Sequence, residues 1–341
     1  MIVLVNGIGN IGTTISNILN DYKSELGITK IYALKNSKIQ EWNSVEIELL
    51  ISKGIEVCST KNNPSYKQVS TLIDTVDYIF DCNTNSIGLK NKTWYESLPN
   101  LKGCSAQGSE KTFGIPFMSG INDDKIRGEK FAQIVSCNTH SLTSIISTFS
   151  NYNYNSISET DFVIVRRSED IGNHQRLVTA NVVSRHLNNQ IGTHHAIDVK
   201  DLLATIDINP NVQSSDITTP SQLMHTVRFN IQFNKPINLS EIETQISNNP
   251  MLSITNKFDS NVIFELGRRY SPYGRLFSHA IVNQNNMLHD KESNRIKGWA
   301  FIPQEGNTII SSIHAYLLQT NNPNSENVIK SLVSNLINKN W

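Results

Sequence analysis

The sequence predicts an α/β chain of two domains. A Rossmann dinucleotide-binding domain is expected over residues 1–137, completed by 303–341, and a mixed α+β catalytic and oligomerisation domain over 138–302. Three observations predict this. The chain opens on Ile2-Val3-Leu4-Val5-Asn6, an apolar run of strand length, and passes directly into Gly7-Ile8-Gly9-Asn10-Ile11-Gly12. Strand and helix signals then alternate as far as residue 136, the pattern of a parallel, doubly wound sheet. Beyond Asn138 the strand-like runs are longer and alternate with polar residues, as in a mixed sheet with one face free for a partner.

Taken in order, residues 2–6 read as a buried parallel strand. Residues 11–26 read as a helix with Ile15, Ile18 and Leu19 on one stripe. Strands are expected at 30–34, 54–59, 77–81, 101–105 and 133–136, with a helix over 90–98. A helix-like stretch follows over 138–152. The second half predicts strands at 161–167, 225–233, 253–255, 262–266, 279–282 and 298–302, and a helix over 239–248 capped by Ser240. Helical stretches over 305–320 and 325–338 end the chain and are expected to pack back on the first domain.

Composition narrows the function classes. The 341 residues suffice for two domains and a sizeable core. Thirty basic residues balance thirty acidic ones, so nothing suggests a nucleic-acid or membrane surface. No apolar run reaches the ~18 residues of a membrane span. The N-terminus enters a strand without a basic region ahead of it, so no signal peptide is expected. Cys58, Cys82, Cys104 and Cys137 lack C-x-x-C spacing. That fits reduced thiols of a cytoplasmic protein rather than a disulfide framework or a metal site.

Gly7-x-Gly9-x-x-Gly12 stands between a strand and a helix, the context a dinucleotide fingerprint requires. Gly7 would make the tight turn, Gly9 would admit the pyrophosphate, and Gly12 would let helix and strand pack closely. Asn10 and Ile11 complete the turn. The next strand ends in Ala33-Leu34-Lys35-Asn36. The acid expected of an NAD-specific site is missing there and Lys35 stands in its place, which favours NADP over strict NAD.

The run Ser136-Cys137-Asn138-Thr139-His140-Ser141-Leu142 places a cysteine between a strand-like run and a helix-like stretch. At a helix N-terminus the backbone dipoles favour a thiolate, and free N–H groups can hold an oxyanion. A dinucleotide site with a downstream nucleophilic cysteine suggests an aldehyde dehydrogenase working through a thioester. His140 would lie one turn into that helix, facing solvent or core.

These residues carry a resemblance. Ser136-Cys137-Asn138-Thr139-x-x-Leu142 is its strongest piece, followed by Val163-Ile164-Val165-Arg166-Arg167, His194-His195 with Asp198-Val199-Lys200, and Leu223-Met224-His225. Supporting pieces are Asp81-Cys82, Gln107-Gly108-x-Glu110-Lys111, Leu266-Gly267-Arg268 and Gln304-Glu305. In order and spacing the chain resembles the archaeal (type II) glyceraldehyde-3-phosphate dehydrogenases over nearly its full length. The resemblance implies that Cys137 is the nucleophile and that His225 lowers its pKa and takes the hemithioacetal proton. It implies substrate and phosphate binding at Ser136, Asn138, Thr139, Arg166, His194, His195 and Ala196. Cofactor contacts would come from Gly7, Gly9, Asn10, Ile11, Gly12, Lys35, Gln107, Gly108, Ser109, Arg167 and Gln304. Adjacent arginines on a strand face opposite sides, so Arg166 and Arg167 would do different jobs. NADP or NAD, glyceraldehyde 3-phosphate and inorganic phosphate are the implied ligands, without a metal, and a homotetramer is the implied assembly.

The chain departs from the family at Thr13 and Thr14, Ala196, Val227, Pro303 and Gly306, positions near the implied cofactor and anion contacts. Two alternatives stay open. One is a related acyl-phosphate reductase such as aspartate-semialdehyde dehydrogenase or N-acetyl-glutamyl-phosphate reductase. The other is a catalytically silent nucleotide-binding paralogue.

Overall fold

The structure, a computed structural model, describes the chain except Lys38, Gln40, residues 61–64, Asn85, Ser109, residues 169–179, Ser221 and the side chains of Glu41, Trp42 and Asn43. The expected cofactor contact at Ser109 thus lies outside the described residues. The chain forms two units, Met1–Ser136 with Ile309–Ser331, and Cys137–Thr308 with Leu332–Trp341.

The first unit alternates strand and helix. Its elements are β1 (Ile2–Asn6), α1 (Asn10–Asp21), β2 (Lys30–Lys35), α2 (Glu41–Ser52), β3 (Glu56–Ser59) and β4 (Lys67–Gln68), then β5 (Tyr78–Asp81), α3 (Ile87–Glu96), β6 (Gly103–Gln107), β7 (Ile115–Phe117) and β8 (Phe131–Ile134). The eight strands form one sheet in the order β4-β3-β2-β1-β5-β6-β8-β7. Every pairing in it is parallel. Such a sheet is covered on both faces, so its strands are continuous apolar runs. Val3, Leu4 and Val5 are fully buried. Leu4, Leu34, Ile79 and Tyr95 share one core cluster, and Phe117, Ile134, Ala315 and Leu318 share another.

The last two of those come from α8 (Ile309–Gln319), entirely buried in the same unit. Tyr78 donates to Gln319 Oε1 at 2.7 Å and Tyr316 to the Leu26 carbonyl at 2.9 Å. The expected return of a C-terminal helix to the first sheet is therefore present.

The second unit holds α4 (Cys137–Phe149), β9 (Ile157–Arg167), β10 (Val182–Val183), α5 (His194–Ala204), β11 (Val212–Thr219), β12 (His225–Phe233), α6 (Leu239–Asn248) and β13 (Leu252–Thr255). It continues with α7 (Ser260–Tyr270), β14 (Ala280–Asn283), β15 (Leu288–Asp290) and β16 (Arg295–Ile302). Its sheet runs β10-β11-β9-β12-β16-β14-β13, with β15 on β16. It is mixed: β9 pairs β11 in parallel and β12 antiparallel.

Several expectations change. The run at 262–266 is helical, inside α7: Asp259 caps it, its side chain accepting from Asn261 N at 2.8 Å. A short apolar run does not by itself distinguish the two periods. Helix α6 starts after Asn238, and Ser240 is its second residue rather than its cap. Helix α1 stops at Asp21, and Gly27 has φ +66°. Helix α4 ends at Phe149, before Asn151 and Tyr152 with positive φ. The stretch expected as a helix from 305 begins only at Ile309. Residues 303–308 form a turn in which Gly306 N and Asn307 N donate to the Pro303 carbonyl. Helices α2 and α5 and strand β11 had no counterpart among the expected elements.

The chain ends in α9 (Ser325–Leu336), within which it passes from the first unit to the second. Residues 303–341 are therefore divided between the units. Trp341 N donates to the Ile254 carbonyl at 3.0 Å and Ser253 Oγ to the Asn338 carbonyl at 2.5 Å, tying the C-terminus to β13.

Candidate active site

In the first unit, the glycine turn joins β1 to α1 at the carboxyl end of the sheet. Gly7 has φ +97°, a conformation L side chains rarely adopt. Gly9 is exposed and precedes α1 with no side-chain cap. A Cβ there would meet nothing within 4 Å. The turn therefore leaves open space beside the N–H groups that open a helix, the feature a pyrophosphate needs. Gly12 is different: a Cβ would stand 1.9 Å from the Gly7 carbonyl oxygen. Asn10 is exposed at the first position of α1, Ile11 and Lys35 are half-buried, and Thr14 Oγ1 donates to the Asn10 carbonyl. Gln107 is anchored on Ser312 Oγ at 2.6 Å, and the Gly108 carbonyl accepts from Gln133. These residues fit a dinucleotide at the turn and strand ends.

Cys137 is the first residue of α4 and only half-buried. Cys58 and Cys104 are buried. Burial, with Glu56 adding to it, pushes Cys58 up to about 12, and burial holds Cys104 well above the ordinary thiol range. Asn307 Nδ2 donates to the Cys137 carbonyl at 3.0 Å and to the His279 carbonyl at 3.1 Å, so the helix start is held from the turn before α8. His140 lies in the core beside His279, ring centroids 5.1 Å apart. Ser136 is half-buried, and Asn138 and Thr139 are buried.

Asn138 leads to the anion-binding candidates. Its Nδ2 lies 3.4 Å from His195 Nδ1. His195 Nε2 lies 3.3 Å from Asp216 Oδ2, and Arg166 Nη1 3.7 Å from Asp216 Oδ1. Burial alone would raise the Asp216 carboxyl, but His195, Ser184 and Arg166 outweigh it and hold it at about 2. Burial and the neighbouring His195 lower His194. Ala196 N donates to Ser214 Oγ at 3.0 Å.

His194, His195 and Asp216 bring ligand atoms within 4.8 Å of one another, close enough to consider a metal. The surroundings oppose a cation: Arg166 stands beside the carboxylate, and both histidines open α5 at its positive end. The same arrangement suits an anion.

The two arginines divide as the alternation requires. Arg167 is buried; Nη1 donates to the Leu223 carbonyl at 3.1 Å and Nη2 to Glu305 at 3.2 Å. Glu305 also pairs with Arg275. Arg167 is thus held in a buried ion pair, while Arg166, 35 % exposed at its side chain and 3.7 Å from Asp216, is the more exposed of the two.

His225 begins β12. Its Nδ1 accepts from Arg167 N at 2.9 Å and lies 2.8 Å from Gln304 Nε2, while Gln304 Oε1 accepts from His225 N. Gln304 thus bonds His225 through both ends of its amide. A backbone N–H donating to Nδ1 assigns the ring proton to Nε2. Burial, then Arg167 and Arg166, hold the imidazole well below its ordinary range. The neutral form of His225 is favoured, and in this tautomer it offers an N–H at Nε2. Nδ1, the nitrogen with the lone pair in this tautomer, is engaged by Arg167 N and Gln304.

Sequence reasoning missed Asn307, Asp216 and Glu305 as parts of this site. Asn307 fell inside an expected helix and Asp216 on a strand not expected. The departures have local reasons: Gly306 is required because a Cβ would stand 2.0 Å from the Leu276 carbonyl oxygen, and Val227 is fully buried in β12.

No family model matches the chain. Curated relatives named glyceraldehyde-3-phosphate dehydrogenase do. The one from Methanococcoides burtonii is 24 % identical over 326 residues, covering 92 % of this chain and 91 % of the relative. Those from Sulfurisphaera tokodaii (28 % over 278 residues, 76 % and 74 % covered) and Archaeoglobus fulgidus (24 % over 268 residues, 75 % and 74 %) agree. The chain is similar to archaeal glyceraldehyde-3-phosphate dehydrogenases. The parallel sheet with its covering helices and the second, mixed sheet agree with the fold of that family. No helix among the described residues is long and apolar enough to cross a membrane.

Proposed function

We propose that the chain is a phosphorylating glyceraldehyde-3-phosphate dehydrogenase of the archaeal type, working through a Cys137 thioester with NADP or NAD. It would serve glycolysis and gluconeogenesis in the cytoplasm as a homotetramer. One observation carries the reading. A half-buried thiol opens a helix whose first carbonyl Asn307 holds, and the next side chain, Asn138, reaches the His195–Asp216–Arg166 group. The similarity to archaeal enzymes of that name supports the substrate.

In this reading Cys137 Sγ, as thiolate, adds to the aldehyde carbon, and the carbonyl electron pair moves to oxygen. His225 Nε2–H donates to that oxygen and takes no proton from it. Such a donor contributes roughly 10²–10³ in rate. A bound nicotinamide dinucleotide would accept the hydride from the same carbon. Phosphate oxygen then attacks the thioester carbon, the C–S bond breaks, and Cys137 leaves as thiolate, giving 1,3-bisphosphoglycerate. Arg166 and the histidines at the start of α5 hold the phosphate groups.

The test is a spectrophotometric assay with glyceraldehyde 3-phosphate, with NAD and with NADP, each with and without phosphate or arsenate. Phosphate-dependent reduction that vanishes in Cys137→Ser is expected. Nucleotide binding without turnover would reject the reading in favour of another aldehyde substrate or a silent paralogue.

A further inference from the structure

We infer that Asn36 reads the ribose 2′-hydroxyl of the dinucleotide and makes the site prefer NAD to NADP. The inference rests on the dinucleotide reading above and reverses the preference that Lys35 suggested. A cavity of about 730 Å³ lies within the first unit at the carboxyl ends of β1, β2 and β5, walled in part by Asn6, Asn36, Ile73, Asn83 and Trp94. Its volume is within the range of small-molecule sites. Asn83 also abuts the glycine turn, its N and Oδ1 lying 3.1 Å from a Cβ built on Gly7. Asn36 lines this cavity and Lys35 does not.

A chain of hydrogen bonds beginning at a carboxylate decides which way the Asn36 amide points. Asp81 is buried and acts as acceptor throughout. It receives Asn83 N at 3.0 Å, Asn83 Nδ2 at 2.9 Å, Asn91 Nδ2 at 3.0 Å and Tyr95 OH at 2.6 Å. Because Asn83 Nδ2 is turned to Asp81, its Oδ1 faces Asn36. Because the Tyr95 proton goes to Asp81, its oxygen accepts from Asn6 Nδ2 at 2.5 Å, and Asn6 Oδ1 faces Asn36 as well. Asn36 Nδ2 therefore donates to both, at 2.8 Å to Asn6 and 2.9 Å to Asn83. The group left for a ligand is Oδ1, an acceptor only.

A 2′-hydroxyl can donate to that oxygen. A 2′-phosphate is an acceptor with roughly −1.5 to −2 charge at neutral pH and cannot. Among the described residues no lysine or arginine lines the cavity to receive it, and Asp74 stands on the wall. A half-buried acceptor facing a phosphate leaves both groups without a hydrogen-bond partner, which favours the hydroxyl over the phosphate.

Isothermal titration with NAD and with NADP, without aldehyde substrate, tests this. Wild-type protein is expected to bind NAD about tenfold or more tighter than NADP, the scale of one hydrogen bond with its mismatch. Asn36→Ala is expected to shrink that ratio mainly by weakening NAD. Lys35→Ala is expected to leave the ratio in place. The wild-type ratio and Lys35→Ala decide the matter if Asn36→Ala does not fold. Tighter binding of NADP, or a ratio controlled by Lys35 and indifferent to Asn36, would overturn the inference while leaving the dinucleotide reading standing. Failure of both nucleotides to bind would overturn that reading itself.

Discussion

Replacing the two glycines that flank the start of α1 separates a packing role from a ligand role. A Cβ on Gly12 would lie 1.9 Å from the Gly7 carbonyl oxygen and 3.3 Å from Cys82 Cβ. Real Cβ contacts almost never fall below 3.0 Å, so the glycine turn has to move by about 1 Å. The obstacle is backbone, which yields less readily than a side chain. Alanine in place of glycine gains about 1 kcal/mol of helix propensity. Overpacking against a rigid wall costs about 1–3 kcal/mol or more. The net expectation for Gly12→Ala is a loss of up to about 2 kcal/mol, or up to about 4–8 °C for a unit of this size. Dinucleotide affinity falls with it, because the turn carries the binding amides. Gly9 has φ −92° and ψ −160°, open to any residue, and nothing lies within 4 Å of its would-be Cβ. Gly9→Ala meets no clash and is expected to cost about 0.5–1 kcal/mol, the preference of a helix N-cap for glycine over alanine. Its methyl group occupies the space the pyrophosphate needs, so affinity should fall at least about tenfold. Thermal unfolding and titration with NAD on both variants decide it. A Gly12→Ala protein as stable as wild type would refute the packing argument. A Gly9→Ala protein that binds NAD normally would refute the ligand argument.

Asp259 accepts from Asn261 N at 2.8 Å as the cap of α7, so Asp259→Ala should cost about 1 kcal/mol in urea unfolding; no change would show that the cap is idle. Lys339 Nζ donates to the Ile246, Asn249 and Leu252 carbonyls around the end of α6, and Lys339→Met should destabilise the second unit by about 1–3 kcal/mol, a loss that Lys339→Arg is expected to restore in part. His279 is held well below its ordinary value of 6.5, first by burial and then by His140. The unfolded chain takes up a proton near pH 6.5 that the folded chain refuses until lower pH. Stability is thus fully present above about pH 6.5 and falls below it by up to about 1.4 kcal/mol per pH unit from this group. Urea midpoints at pH 7.5, 6.5 and 5.5, compared with those of His279→Gln, check the slope, and equal slopes in the two proteins would remove His279 as its source.

The elements legible in the sequence were those with a strong local signal. Strand β1, the glycine turn and strand β12 lie where their patterns put them, because an unbroken apolar run, a glycine at positive φ and a two-residue alternation are properties of neighbours in the chain. The run at 262–266 was misread for the same reason: its four apolar residues satisfy both periods, and the cap at Asp259 settles it. Lys35 drew notice by its charge, while Asn36, next to it, carries the argument from geometry.

The sequence by itself determined the two-domain α/β plan, the glycine turn, and the cysteine at the head of a helix. It also determined that Arg166 and Arg167 face opposite sides, since strand alternation is local. Only the tertiary structure decided which arginine is buried in an ion pair, because that depends on Glu305 reaching Arg167 from a distant segment. It decided that His225 carries its proton on Nε2, because Arg167 N and Gln304 converge on Nδ1 from two other segments. It decided the orientation of Asn36 through Asp81, Asn83, Tyr95 and Asn6, which come from separate strands and a helix. A hydrogen bond is directional and short, so which atom a polar side chain offers to a ligand is set by partners distant in the chain.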